Sequence, residues 1–313
     1  MARISGVMIA LNEAHQVHYA LGSLLPWCDE VIVVDQHSED ATAEIAERMG
    51  ARVLQHERTG GLADPARRFA VAQATGDWIF ILDADEMVPP GLARRLREIA
   101  DDPQGPEVVQ VPRANVILGR WMRFGTNWPG RHPRFFRPGR VEIDGTIHHS
   151  IRPVKGSRRL QLPADPALAI WHFPGGDISD LVRKVDRYTT IEVRQARERG
   201  EPPARTRDLV VWPARYLWEQ YIRGGGWRDG TMGLLVALSR AYYRVLVAAK
   251  SWEAPRLDAR RASVTAVRDG LLARWEAAPP APAAEQPPAA EQPPAAEQPP
   301  AAEQPPAAEQ PPA

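Results

Sequence analysis

The stretch Trp78-Ile-Phe-Ile-Leu-Asp-Ala-Asp-Glu86 constrains this chain more than any other. It opens as an unbroken apolar run, Trp78 to Leu82, the pattern of a strand covered on both faces. It then ends abruptly in acid. Residues two apart on an extended chain share a side, so Asp83 and Asp85 point the same way at the strand's C-terminal end. Two crowded carboxylates repel and call for a cation, and oxygen ligands suit a hard ion such as Mg²⁺ or Mn²⁺. Because Mg²⁺ keeps few protein ligands and shares the rest with phosphates, the stretch reads as a strand end for a metal-bound diphosphate. The competing reading is a plain helix N-terminus, since Pro89-Pro90 opens a helix shortly after. The order of the flanking elements favours the metal.

That order is regular. Ile4 to Leu11 reads as a first strand, closed by Asn12-Glu13, with a helical pattern through Leu25. Glu30 to Asp35 is a second buried-type strand ending in an acid. Ser38 or Asp40 caps the next helix, which stops at Gly50. Arg52 to His56 is a weaker strand, and Pro65 begins a helix carrying Arg67 and Arg68. Strand and helix alternate as in a doubly wound α/β sheet, whose ligand sits outside the C-terminal strand ends. Asn12-Glu13, Asp35 and Asp83/Asp85 therefore converge on one crevice. No G-x-G-x-x-G follows the first strand and no P-loop occurs, which argues against NAD, FAD and P-loop nucleotide chemistry.

After a helix from Gly91 to Ala100 the pattern changes. Val108 to Leu118 reads as a strand, Trp121 to Arg140 as a long structured excursion, Gly145 to Ile151 as a strand with paired histidines, and Ala167 to Phe173 as another strand. From Asp177 the pattern is helical. Trp227 to Trp252 is mostly apolar and suits either a core helix or a membrane interface, while Arg240 and Arg244 argue against a span. The predicted organisation is a catalytic domain over 1–175, a helical region over 176–278 that is a candidate for membrane contact, and a tail over 279–313. The Ala-Ala-Glu-Gln-Pro-Pro repeats of that tail have almost nothing to bury and are expected to be disordered.

Charge narrows the partners. The chain balances 39 basic against 39 acidic residues, but five of the acids lie in the tail, leaving a positive excess of five elsewhere. That suits a phosphate-bearing substrate or an anionic surface and is too weak to argue for nucleic acid. The single cysteine, Cys28, excludes an internal disulfide. Without a signal-peptide pattern or an uncharged run of about 20 residues, the expected location is the cytoplasm, peripheral to the inner face of the membrane if the helical region touches lipid.

These residues resemble family-two glycosyltransferases. The likeness rests on Ile9-Ala-Leu-Asn12-Glu13, Val31-Ile-Val-Val-Asp35-Gln-His-Ser38-Glu-Asp40-Ala-Thr42 and Gly76-Asp77 running into Trp78–Glu86. Within the family the chain is most similar to the lipopolysaccharide core β-1,4-glucosyltransferase-like group. Asn127-Trp-Pro-Gly-Arg-His-Pro-Arg134-Phe-Phe136-Arg137 resembles its Trp-Pro-Asp…Arg-Leu-Phe segment. Trp171-His172-Phe173 with Lys184 and Arg187-Tyr188-Thr189 resembles its His-Tyr…Lys…Arg-Tyr helix, and Gly225 to Leu235 and Ala249 to Glu253 resemble its C-terminal motifs. The likeness runs in order over residues 3 to 253.

The resemblance implies a GT-A fold, a doubly wound mixed sheet with a helical C-terminal extension. It implies an inverting, metal-dependent transfer from a nucleotide-diphosphate sugar, with a UDP-sugar as the expected donor, to a glycan or lipid-linked glycan of the cell surface. Asn12, Glu13, Asp35, Arg67, Arg68 and Asp83 are the implied nucleotide-sugar residues. Asp83, Asp85 and His172 are the implied ligands of Mg²⁺ or Mn²⁺, with His148 as another candidate. Inversion needs a base to take the acceptor proton. Gly130 and His148-His149 stand where the group has carboxylates, which leaves Asp144, Glu142 and His149, with Asp144 ahead of His149. The missing carboxylates keep a catalytically silent nucleotide-sugar binder open as an alternative, and a peptide or protein acceptor as another. A nucleotidyltransferase is disfavoured, because no Gly-rich basic loop follows Leu11.

Overall fold

The parallel half of the sheet consists of β1 (Ile4–Ala10), β2 (Glu30–Asp35), β3 (Arg52–Gln55) and β4 (Trp78–Ile81), in the order β3-β2-β1-β4. The structure is a computed structural model that describes residues 1–58, 64–143 and 151–277. Alternation along these strands sorts the core into two layers. Ile4, Met8, Val33, Trp78, Phe80 and Leu82 face α1 (Val17–Leu24), and Leu92 and Leu96 of α4 (Pro90–Ala100) pack in the same layer. Val7, Ile9, Ile32, Val34, Ile79 and Ile81 face Ala66 and Ala70 of α3 (Asp64–Gln73). The helix α2 (Thr42–Arg48) connects β2 to β3. The apolar run Trp78–Leu82 is thus covered on both faces, as its sequence predicts.

Beyond β4 the sheet becomes mixed. The short strand β5 (Glu86–Met87) follows the acidic pair, and the long strand β6 (Val108–Ile117) turns back through β7 (Arg120–Trp121). The strand β8 (Gly130–Phe136) lies antiparallel between β4 and β6, with Phe135 opposite both Phe80 and Val109. The segment read from sequence as an excursion therefore supplies a central strand. Its Pro133, Arg131 and Arg134 hide the apolar pattern, and its hydrophobic weight comes only at Phe135 and Phe136, where Trp78 stacks on Phe135 at 4.3 Å. β9 (Val141–Ile143) pairs with β10 (Ile151–Pro153). Of the strand expected over Gly145 to Ile151, only Ile151 lies within the described residues, where it opens β10; Asp144, His148 and His149 lie outside them.

β11 (Arg159–Gln161) and β12 (Ile170–His172) both run parallel to β6, and β5 closes the order antiparallel to β12. This last pairing sets His172 opposite Glu86. The fold is the mixed α/β sheet with a helical extension that the sequence predicts.

The helical part comprises α5 (Ile178–Glu198), opened by a capping box between Asp177 and Asp180, then α6 (Asp208–Leu217), α7 (Gly230–Glu253) and α8 (Leu257–Glu276). The arginines that interrupt apolar α7 fasten it to the rest of its unit. Arg240 donates to Thr126 Oγ1 at 2.6 Å and Asn127 Oδ1 at 2.8 Å, and Arg244 pairs with Glu192 at 3.0 Å. The start of α7 packs so tightly that a Cβ on Gly233 would come within 1.9 Å of the Gly226 carbonyl oxygen. The helical stretch Gly226–Glu276 includes a window of mean hydropathy 1.3, of which 22% is buried, and passes for a membrane span by length and composition. Contacts divide the chain into two units, one of Met1–Asp258 and one that begins at Ala259.

Candidate active site

The C-terminal ends of β1, β2 and β4 open onto a cavity of about 440 Å³. Leu11 and Glu13 reach it from β1, Gln36 from β2, and Asp83, Ala84 and Asp85 from β4. The opposite wall is basic. Arg58 and Arg67 line it, and α5 adds Lys184, Arg187 and Tyr188, whose spacings of three and four place them on one helix face.

Asp83 is tied down. Arg67 Nη2 lies 2.6 Å from its Oδ1 and Arg134 Nη2 3.0 Å from its Oδ2. Burial pushes its carboxyl up, but Arg67 and Arg134 outweigh that and hold it well below the usual carboxylate range. Glu86 lies beneath it with no exposed side-chain surface. It accepts from Arg134 at 2.8 Å and from the Asp83 N–H at 3.0 Å. Burial still pushes Glu86 up, with the charge of Asp83 adding to the shift. Arg134 was legible only as part of a family segment, and Glu86 carried no sequence-predicted role; together they floor the site.

Asp85 differs from Asp83 in having no arginine partner among the described residues. Its Oδ2 lies 3.2 Å from His172 Nε2. His172 Nδ1 is 2.7 Å from Asn115 Oδ1, while Asn115 Nδ2 donates to the Asn127 carbonyl at 3.0 Å. The second bond fixes the Asn115 amide, so its oxygen faces the ring and the ring proton sits on Nδ1. A neutral His172 then presents the Nε2 lone pair to a carboxylate. Two electron-rich atoms face one another across a gap that a proton or a metal cation would fill. The donor set fits a hard or borderline divalent ion that takes its remaining ligands from phosphate and water. Asn115 is the orienting partner that sequence reasoning missed; only its place opposite His172 on the paired strands reveals it.

The other sequence-predicted residues divide. Glu13 lines the cavity, and burial pushes its carboxyl up while Gln16, bonded at 2.5 Å, pulls it down. Asp35 is buried and spends both oxygens on Ser38, at 2.5 and 3.0 Å, so Gln36 is the β2 residue that reaches the cavity. Asn12, with φ 56°, accepts from the Glu39 N–H at 2.8 Å and locks the β1 loop to the β2 loop without lining the cavity. Arg68 is exposed and turned away, one step round the helix from Arg67.

The profile described as "Glycosyl transferase family 2" matches residues 5–160, which spans every acidic strand end named above. The lipopolysaccharide core biosynthesis glycosyltransferase LpsC of Rhizobium meliloti (strain 1021) is 28% identical over 82% of this chain and 94% of its own. An uncharacterised glycosyltransferase of Rickettsia typhi (strain Wilmington) is 37% identical over 68% of this chain and 75% of its own. Among solved structures, glucosyl-3-phosphoglycerate synthase of Mycobacterium tuberculosis with Mn²⁺ and UDP-glucose aligns with 36% of this chain and 44% of its own, at 28% identity and a TM-score of 0.32. The chain thus spans less than half the length of that solved structure. Relatives that match most of both chains, and a profile laid over the sheet whose strand ends form the cavity, lead to one assignment: the chain belongs to glycosyl transferase family 2 and is a glycosyltransferase that draws on a nucleotide sugar.

Proposed function

We infer that this enzyme is an inverting, metal-dependent glycosyltransferase that moves a sugar from a nucleoside diphosphate, UDP by expectation, to a cell-surface glycan of the lipopolysaccharide-core kind. The observation that carries the reading is the pairing of Asp85 with His172, oriented by Asn115, inside a cavity whose other wall is basic. The acceptor class draws on the Rhizobium relative, a lipopolysaccharide core biosynthesis glycosyltransferase matched over 94% of its own length.

In this reading Asp85 and His172 would hold Mg²⁺ or Mn²⁺, and the bound ion would supply positive charge against the departing diphosphate. Arg67, Arg58, Lys184 and Arg187 surround the same diphosphate with fixed cations. In a cavity that excludes much of the water, preorganised charge of this kind is the largest help a site can give to a leaving group. Arg134 and Arg67 keep Asp83 ionised and immobile, so its neighbour Asp85 starts from a fixed backbone. Glu13 and Gln36, at the ends of β1 and β2, bound the end of the cavity proposed for the nucleoside. Asp144, or His149 after it, remains the proposed base for the acceptor hydroxyl.

Exposed Trp218, Ile222 and Trp227, each more than half exposed, stand beside Arg223 and Arg228 in the helical part. Aromatic and cationic side chains in company suit a membrane interface, and a peripheral position at the cytoplasmic face accompanies the proposal.

The test is donor turnover. A panel of nucleotide sugars is incubated with Mn²⁺ or with EDTA, and released nucleoside diphosphate is measured. Metal-dependent release from one donor is the expected result, since slow hydrolysis stands in for transfer. Release that is equal in EDTA would overturn metal dependence. Tight donor binding with no release, even when lipopolysaccharide-core acceptor is present, would overturn the proposed transfer.

A further inference from the structure

A second cavity of about 310 Å³ shares no lining residue with the first. Arg120, Trp121, Arg123, Phe124, Arg228 and Asp229 line it. It forms where the β6–β7 hairpin meets the turn Gly226–Asp229 that leads into α7. Three guanidinium groups around one small hollow ought to repel, and folded proteins normally set carboxylates among them. Here none of the three donates to, or pairs with, a protein acceptor among the described residues.

The nearby carboxylate is already committed. Asp229 is buried, and its oxygens accept from the backbone N–H groups of Arg123, at 3.1 and 3.3 Å, and of Phe124, at 3.0 Å. It holds the loop in place and leaves the guanidiniums unsatisfied. Those groups are nonetheless ordered by stacking. Arg123 lies over Trp121 at 4.4 Å, and Arg228 lies over Phe124 at 5.3 Å and Trp227 at 5.2 Å. A guanidinium lying on an aromatic face keeps its N–H edges free for a bidentate acceptor. Arg120 reaches the start of α7, where a Cβ on Gly230 would lie 3.6 Å from its Nη1. That helix has no acidic residue in its first turn and no side-chain cap, so its opening N–H groups add positive potential. The indole N–H of Trp121 is buried and has no acceptor among the described residues. A buried donor left unpaired is costly. The cavity therefore gathers three guanidinium groups and a helix N-terminus, and its one lining carboxylate, Asp229, is spent on backbone N–H groups.

We propose that this cavity is a binding subsite for a phosphate monoester. Three forked donors set around a point match the three terminal oxygens of a phosphate better than the two of a carboxylate. The volume exceeds that of the anion alone, and Trp121 and Phe124 offer apolar wall to the carbon skeleton of an ester. Trp121 also packs at 5.2 Å on Trp171, the residue before His172, so the subsite and the metal-site strand share a rigid contact. As a subsite for a phosphorylated acceptor, the cavity rests on the proposed transferase reading. Phosphate binding as such does not.

The test follows arginine protection in the full chain, with Mn²⁺ and UDP saturating the donor cavity. Phenylglyoxal modification of each arginine is read by peptide mass spectrometry with inorganic phosphate, with glucose 6-phosphate, and with vesicles of phosphatidate or of phosphatidylcholine. The expected result is that oxyanion slows modification of Arg120, Arg123 and Arg228 about threefold or more, while exposed Arg94 is unaffected. Glucose 6-phosphate acting where phosphatidate vesicles do not identifies a soluble phosphosugar group; the reverse identifies a lipid headgroup; either supports the subsite. Equal modification of all four arginines under every oxyanion overturns it. A triple variant R120Q/R123Q/R228Q should lose phosphate affinity by about tenfold or more, with an unchanged circular dichroism spectrum and unchanged donor hydrolysis. Unchanged affinity in that folded variant also overturns the proposal. Donor turnover without protection would sink the subsite alone, and protection without turnover would sink the transferase reading alone.

Discussion

Arg134 and Glu86 form a buried ion pair at 2.8 Å, and the same arginine nitrogen reaches Asp83 at 3.0 Å. The pair joins β8 to the start of β5 and fixes the backbone on which Asp85 stands. Burial opposes the charge on both partners, and for Arg134 the charges of Glu86 and Asp83 outweigh it and raise the guanidinium above its ordinary value.

Removing one partner of such a pair leaves a buried, uncompensated charge. Arg134→Met should destabilise the protein by about 3–5 kcal/mol in urea unfolding at neutral pH. Glu86→Gln keeps the shape and leaves Asp83 to hold the arginine, so it should cost about half as much or less. An Arg134→Met protein within about 1 kcal/mol of the parent would show that the site floor is held by packing alone.

The Asn115–His172–Asp85 relay makes separable predictions for metal binding. Asp85→Asn should reduce Mn²⁺-stimulated donor hydrolysis by about a hundredfold or more, because it removes the ligand and the charge together. Asn115→Ala should weaken Mn²⁺ affinity by about tenfold while leaving the maximal rate close to normal once Mn²⁺ is raised. A fall in the maximal rate with unchanged Mn²⁺ affinity would contradict the orienting role of Asn115. Titrating hydrolysis against Mn²⁺ measures both quantities.

Cys28 lies half-buried under the sheet, and burial pushes its thiol up to about 12. The thiolate is the reactive form. Ellman's reagent at pH 8 should therefore leave native Cys28 unmodified and react with one thiol per chain in guanidinium chloride. The same sulfur limits the strand above it, since a Cβ on Gly6 would lie 3.1 Å from Cys28 Sγ. Gly6→Ala should cost about 1–3 kcal/mol by overpacking, and adding Cys28→Ala should return part of that. Calorimetric melting of the three variants measures the recovery.

Burial lowers the His132 imidazole to about 3, with Arg134 and Arg113 adding to the effect and Asp83 opposing it. In the unfolded chain a histidine titrates near 6.5 by ordinary values. Between the two the unfolded state binds a proton that the folded state refuses, so stability falls as pH drops below about 6.5 and the loss is complete only below about 3. This histidine contributes a slope of at most about 1.4 kcal/mol per pH unit in that window. His132→Gln should flatten the acid limb of stability between pH 6 and 4 relative to the parent, as measured by urea midpoints. Parallel limbs would mean that His132 titrates as a solvated residue.

What the sequence determined was the parallel half of the sheet and its acidic ends. The runs Ile4–Ala10, Val31–Val34 and Trp78–Leu82 are apolar but for Ser5, and only a strand covered on both faces hides every residue of such a run. Asp83 and Asp85 were legible because their spacing and their place at a strand end are local properties. The family segments also flagged His172, Lys184, Arg187 and Tyr188. Tertiary structure decided the rest. It alone shows that Asp83 is claimed by Arg67 and Arg134 while Asp85 is left to His172, since that division depends on strands far apart in the chain meeting at one edge. It placed Gln36 rather than Asp35 at the cavity, because Ser38 turns back onto the carboxylate. It made a central strand of Gly130–Phe136, whose proline and arginines carry no strand period of their own. And it gathered Arg120, Arg123 and Arg228 around one hollow from two segments about a hundred residues apart, a juxtaposition that no local pattern encodes.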